Sequence, residues 1–371
     1  MTFKEMNLRV FDGRPVPHVF FQPRFEPWIA WHRQFETLPN EIRDKSVTEI
    51  YDEVGASMRY IDYYTGMESA ILSGYAPDVN ITERRSDQMI IRTYHTPHGE
   101  LQETLEFTVD KTWRTIEFPA KNADDLDALE WVLARREIRL NEQSFARGLE
   151  FVGDRGYGQF YVPKSPYFAL AQQWMKFEDF IYAIMDYPEK IERLFAVIDA
   201  GYDQLYLDLA ASSHVRIVNF GENVAAAYLS ADFYERYVEP WYFKRSRQLR
   251  AAGKFTHIHI DGYFRQLLPY LERMPFDGLE ALTPLPQGDV TLEEIRENIG
   301  DKILLDGIPA VLFLEHFPRE QLMECVEKVV KLFHPKLVLG ISDELPEGGG
   351  DESYERLKSI AAWARTAGIA G

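Results

Sequence analysis

Apolar and polar positions change their period along this chain. Residues 15–22, Pro-Val-Pro-His-Val-Phe-Phe-Gln, make a short apolar run that predicts a buried first strand. Helical spacing follows over 47–55 and 58–64. From 79 to 119 the period falls to two. Segments 87–94, 101–109 and 113–118 alternate polar with apolar side chains, and Thr96-Pro-His-Gly99 supplies a turn between two of them. That pattern predicts an antiparallel β insertion. Beyond residue 124, helices and strands take turns. A helix is expected over 124–136. Another is expected to be capped by Asp186, with Pro188 in its first turn, running to about residue 211. A strand at 215–220 precedes a helix that Ser230 starts, 231–250, interrupted near Pro240. Strand 255–260, helix 263–274 and strand 278–283 come next. Thr291-Leu-Glu-Glu294 is a capping box: the Thr291 hydroxyl accepts from the Glu294 amide while the Glu294 side chain reaches back. It opens a helix to Asn298. Strand 302–306, helix 318–333, strand 336–341 and helix 352–367 finish the chain.

Repeated strand–helix units specify a parallel sheet covered by helices. The fold class expected is α/β: one TIM-type (β/α)8 barrel spanning 1–371, with the β insertion at 79–119 in its N-terminal half. The chain has 371 residues, 46% of them hydrophobic, which is ample for one large core. A formal net charge of −18 repels a phosphate backbone, so nucleic acid is not an expected partner. No basic amphipathic stretch suits an anionic membrane, and no apolar run approaches the roughly 20 residues that span one. Residues 1–14 are charged and lack the apolar centre of a signal peptide, so the cytoplasm is the expected location. The single cysteine, Cys325, excludes an internal disulfide and any site built on two thiolates. Its helical surroundings predict a buried structural residue. Gly153-Asp-Arg-Gly-Tyr-Gly158 lacks the spacing of a dinucleotide-binding loop.

In a barrel, chemistry concentrates where strands end. The strand ends here carry Glu222 and Asn223, then His257, His259 and Asp261, then Glu280, Asp306, Ser342 and Asp343. In Thr256-His-Ile-His-Ile-Asp-Gly262, alternation puts both histidines and Asp261 on one face. Two imidazoles and a carboxylate can bind a divalent metal, and an imidazole can move a proton near neutral pH. The same histidines can equally be hydrogen-bonded residues of the barrel core. Glu280 interrupts an apolar strand and therefore needs a metal, a water or a basic partner. Asp306 and Asp343 can serve chemistry or simply shape turns. Arg24 can grip a carboxylate or pair internally. Trp28, Tyr161 and neighbouring aromatics can line a pocket or belong to the core.

Four stretches resemble the uroporphyrinogen decarboxylase superfamily in order and spacing. They are Gly221-Glu-Asn-Val-Ala-Ala-Ala-Tyr-Leu-Ser-Ala-Asp-Phe-Tyr-Glu-Arg-Tyr-Val-Glu-Pro240, His259-Ile-Asp-Gly262, Leu304-Leu-Asp-Gly-Ile308 and Leu339-Gly-Ile-Ser-Asp-Glu-Leu-Pro346. The resemblance implies a TIM barrel with one of two activities. Its decarboxylases carry an arginine-rich segment after the first strand. Here that place reads Phe21-Gln-Pro-Arg-Phe-Glu-Pro-Trp28, with one arginine. Its zinc methyltransferases use His-x-Cys and a later Cys. This chain has His259-Ile-Asp261 and Ser342-Asp343 there, so the thiolate site is absent. The expectation is a corrinoid-dependent methyltransferase resembling O-demethylase components. A small donor such as a methyl ether would bind at Arg24, Trp28 and Tyr161. Zinc or another divalent metal would sit on His257, His259, Glu280 and Glu222. His259, Asp306 and Asp343 would act on the leaving group. The corrinoid would come on a separate protein, and a homodimer is the implied assembly. Two alternatives stay open: a decarboxylase of uroporphyrinogen or a smaller acid, with Arg24 as clamp, and a non-catalytic tetrapyrrole- or corrinoid-binding barrel.

Overall fold

The computed structural model describes residues 1–225 and 227–367. Ala226, in the first of the four resembling stretches, and residues 368–371 of the expected domain lie outside the described residues. Six parallel strands pair in chain order: Tyr161–Val162, Ile217–Phe220, Phe255–His259, Gly278–Glu280, Ile303–Pro309 and Leu337–Ser342. Two shorter extended segments close the ring. Gln22 N–H donates to the Leu339 carbonyl at 2.7 Å, and Leu339 N–H to Phe20 at 2.9 Å. Ser57 N–H donates to Phe21 at 3.0 Å, and Ile61 N–H to Gln159 at 2.9 Å. Both edges of the sheet are thereby paired, which makes an α/β barrel with no open strand edge. The strands are buried on both faces, as a parallel sheet under helices requires; Leu337–Ser342 is buried throughout.

Several elements differ from their sequence expectations. Residues 58–64 are not a helix: 57–61 is the second strand position of the ring. Asp186 caps nothing; it is the last residue of helix Phe177–Asp186, and Pro188 itself opens Pro188–Gly201. The long helix expected there breaks in two, continuing as Asp203–Ala211. The expected 124–136 helix stops at Leu133, and Arg136–Leu140 becomes a strand antiparallel to Ile71–Tyr75. Only a 3-10 segment, Arg265–Tyr270, forms within 263–274, with Pro269 inside it. The antiparallel insertion is present and gains one strand: Asn80–Arg85 pairs with Met89–Thr96, then Gly99–Phe107 and Trp113–Glu117. The Thr291 capping box forms as expected. Cys325 lies half-buried on helix Arg319–Phe333, where burial pushes its thiol up to about 11.

One element decides which end of the barrel can work. Helix Phe3–Phe11, held by a Thr2/Glu5 capping box, packs Met6, Val10 and Phe11 against Phe20, Ile217, Leu305 and Val338. It plugs the amino-terminal end of the ring, leaving the carboxyl-terminal mouth as the open end. No helix of the described residues is long and apolar enough to cross a membrane.

Candidate functional site

The barrel interior is polar where most barrels stack aliphatic layers. Gln22, Arg59, Gln159, Asn219, His257, Glu280 and Asp306, one from each of the first seven strand positions, are all fully buried. Arg59 sits at the centre. Its Nη1 donates to Glu280 at 2.8 Å, its Nη2 to Asp306 at 2.7 Å, and its Nε to Gln22 at 3.2 Å. Glu280 also accepts from Tyr60 at 2.5 Å and from Asn219 at 2.6 Å. Burial pushes the Glu280 carboxyl up, but Arg59 and the two histidines override it and hold it well below the usual carboxylate range. Burial keeps Asp306 raised in spite of Arg59. His257 donates from Nε2 to Gln159 at 2.6 Å and faces Glu280 through Nδ1 at 3.0 Å. Burial lowers its basicity, opposed by Glu280.

Three residues that are not glycine, at the last three strand positions, adopt left-handed backbone: Ala281 (φ 62°), Asp306 (φ 82°) and Asp343 (φ 76°). Such conformations cost about 1–3 kcal/mol each and gather at functional sites. Here they fall on three successive strand positions, and the last of them, Asp343, lines a cavity at the mouth.

That cavity, about 520 Å³, opens at the mouth and is walled by Tyr63 and Tyr161, with Glu222, His259, Asp261 and Glu344 among its polar groups. Arg24 reaches it from the first strand position, already engaged: Nη1 donates to Tyr161 at 2.5 Å, Nη2 to Asp343 at 2.5 Å and Nε to the Asp343 carbonyl at 2.6 Å. Glu222 is almost fully buried. Burial raises its carboxyl to about 7, opposed by Lys164 and by the Ser165 N–H that donates to Oε1 at 2.6 Å. Its Oε2 has no hydrogen-bond partner. Lys164, pushed down by burial, donates to the Gly221 carbonyl at 3.0 Å. His259 stands 3.8 Å from Glu280 and 3.7 Å from Asp343.

The structure thus brings Arg24, Tyr161, Glu222, His259 and Asp343 to one cavity, and places His257, Glu280 and Asp306 beneath it. Trp28 is a correction. It is fully buried on helix Glu26–Gln34, stacked on Tyr354 with its indole N–H donating to Gly349, and does not line the mouth cavity. The four residues expected to hold a metal divide between two layers, His257 and Glu280 in the interior and His259 and Glu222 at the cavity. Among the described residues no group of three or more His, Cys, Asp or Glu side chains is arranged to hold a metal ion. The interior pair is engaged otherwise. Glu280 is consumed by a guanidinium, a phenol and an amide, and a divalent cation there would face the Arg59 charge. Gln159 occupies the Nε2 of His257. Sequence reasoning missed Arg59 and Tyr60, hidden in a segment read as helix, and Tyr63, Lys164 and Glu344 at the mouth. The signal for Arg59 was a lone arginine among apolar residues in Ser57-Met-Arg-Tyr-Ile61.

No protein-family model and no curated protein matches the sequence. In three dimensions the chain is similar to a methyltransferase from Methanosarcina mazei, with a TM-score of 0.57 and 12% identity over 98% of both chains. A B12-independent methionine synthase from Shewanella sp. W3-18-1 superposes with a TM-score of 0.48 and 13% identity, over 86% of this chain and 84% of that one. At these identities the likeness to the Methanosarcina protein is one of fold, and the fold it shares is an α/β barrel with a parallel sheet.

Proposed function

We propose that this chain is a methyltransferase, taking a methyl group from a small donor in the mouth cavity to a corrinoid carried by a separate protein. The observation that carries the reading is the cavity itself. It lies at the carboxyl ends of the strands, is large enough for a small molecule, and holds Glu222, a buried carboxyl poised near neutrality with one unpartnered oxygen. The likeness to the Methanosarcina methyltransferase, which extends over nearly the whole of both chains, supports it. So does the rim. Tyr64, Tyr228, Tyr263 and Leu285, on loops that follow four strand positions, are exposed large hydrophobic residues suited to a partner that covers the mouth.

The corrinoid, when docked, supplies the nucleophile that accepts the methyl group. Everything else falls to this chain. Tyr63 and Tyr161 fix the donor between aromatic walls. Arg24 locks Tyr161 and Asp343 in place. Helix Phe3–Phe11 seals the far end against water. Two of the four residues expected to hold a metal, His257 and Glu280, are engaged by Gln159 and Arg59, and no step is routed through a metal. The decarboxylase alternative fits less well: Arg24 already answers Asp343, and the cavity is acidic.

The test is transfer of methyl groups from a panel of methyl ethers and methylated amines to a reduced corrinoid. His259→Asn and Glu222→Gln should fold and lose most of the transfer. Release of CO2 from a carboxylic acid, with no methyl moved from any donor, would overturn the reading.

A further inference from the structure

We propose that the donor in this cavity is a cation, a methylated onium centre such as a quaternary ammonium, and not a neutral methyl ether. The inference rests on the methyl-transfer reading of the same site. Its first ground is charge. Glu222, Asp261, Asp343 and Glu344 face the cavity, against two basic groups, Arg24 and Lys164. Arg24 is already neutralised by Asp343 at 2.5 Å, with Glu280 at 3.7 Å. Among the described residues no basic side chain forms an ion pair with Glu222, Asp261 or Glu344. Glu344 takes its one side-chain hydrogen bond from the Tyr63 hydroxyl. Burial, and then Asp343, raise the Asp261 carboxyl; burial raises Glu344 in spite of Arg24. A cationic ligand relieves that crowding, and a neutral one does not.

The second ground is what the cavity leaves unsatisfied and what walls it. Glu222 is 1% exposed and lines the cavity, and its Oε2 has no hydrogen-bond partner. The walls are phenol rings: Tyr161 stacks on Tyr60 with centroids 4.6 Å apart and meets Tyr63 edge-on at 5.5 Å. Aromatic faces beside carboxylates are the arrangement that binds quaternary ammonium groups.

The third ground is the leaving group. When a methyl group leaves an onium nitrogen, the carbon–nitrogen bond breaks with its electron pair retained by nitrogen. The amine departs neutral, and the acceptor supplies the pair for the new bond. No proton and no Lewis acid is required. A methyl ether would instead leave as an alkoxide unless protonated or metal-bound. Beneath the cavity Arg59 is paired with Glu280 and Asp306, so its charge is not free for a leaving oxygen.

The experiment is calorimetric titration of the full-length protein with choline and with 3,3-dimethylbutan-1-ol, which has the same shape without the charge. Choline should bind about tenfold or more tightly than the neutral isostere. Asp261→Asn should erase most of that preference while melting with the wild type. Equal binding of the two, or binding of a methyl aryl ether with none of choline, overturns the inference. Demethylation of an ether but of no onium donor would sink this inference and leave methyl transfer standing. Choline bound under the same conditions, with no methyl transferred from any donor, would do the reverse.

Discussion

Replacing Arg59 by methionine removes the cation that separates two buried carboxylates. Glu280 and Asp306 are both fully buried, and Arg59 contacts them at 2.8 and 2.7 Å. Stripping one partner from a buried ion pair costs about 3–5 kcal/mol, because the remaining charge is left without compensation. Unfolding entropy of about 2.1 cal/mol/K per residue gives roughly 0.8 kcal/mol/K for 371 residues, so Tm should fall by about 4–6 °C. Scanning calorimetry and urea titration both read this. A triple variant that adds Glu280→Gln and Asp306→Asn removes the stranded charges and should recover more than half of the loss. If Arg59→Met alone lies within about 1 kcal/mol of wild type, the interior is not the charged network described.

Glu222 and Glu26 are buried carboxyls that burial raises to about 7. The native state therefore keeps protons that the unfolded chain has lost, and stability should fall as pH rises from the ordinary carboxylate range to about 7, then level off. Each contributes on the order of 3 kcal/mol, so Glu222→Gln should flatten the slope in pH-dependent denaturation. Gly340→Ala would set a methyl group against the Asp306 carboxylate and 2.9 Å from the Gln22 carbonyl. It should cost about 1–3 kcal/mol by chemical denaturation and disturb the Arg59 pairing. Thr291→Ala removes a formed capping box and should cost about 1 kcal/mol, with no effect on ligand binding.

The later strand–helix units were legible because their periods are long and their boundaries marked, as at Thr291 and Ser230. The second strand position was not. Over so short a span, Ser57–Ile61 fits a helical or an extended period equally well, and only pairing with Phe21 and Gln159 decides it. That ambiguity concealed Arg59 and shaped the metal expectation. The sequence made plain that Glu280 needed a partner, but the partner is 221 residues away in the chain, where local spacing says nothing. His259, Asp343 and Tyr161 were found because strand ends at a barrel mouth converge by construction. Trp28 was misplaced because an aromatic residue beside a strand end can turn into the core as readily as into a pocket. Lys164 and Glu344 lie on loops, where periodicity carries no direction.

The most direct test of the central claim is a single-turnover measurement of methyl transfer. Reduced corrinoid is mixed with a quaternary ammonium donor, with and without the protein, and loss of the Co(I) absorbance is followed. The account predicts rapid loss that requires the protein, that Tyr161→Ala and Glu222→Gln both suppress, and that prior removal of divalent metal by chelation leaves unchanged. A rate that the protein does not raise, with onium and ether donors alike, would contradict it.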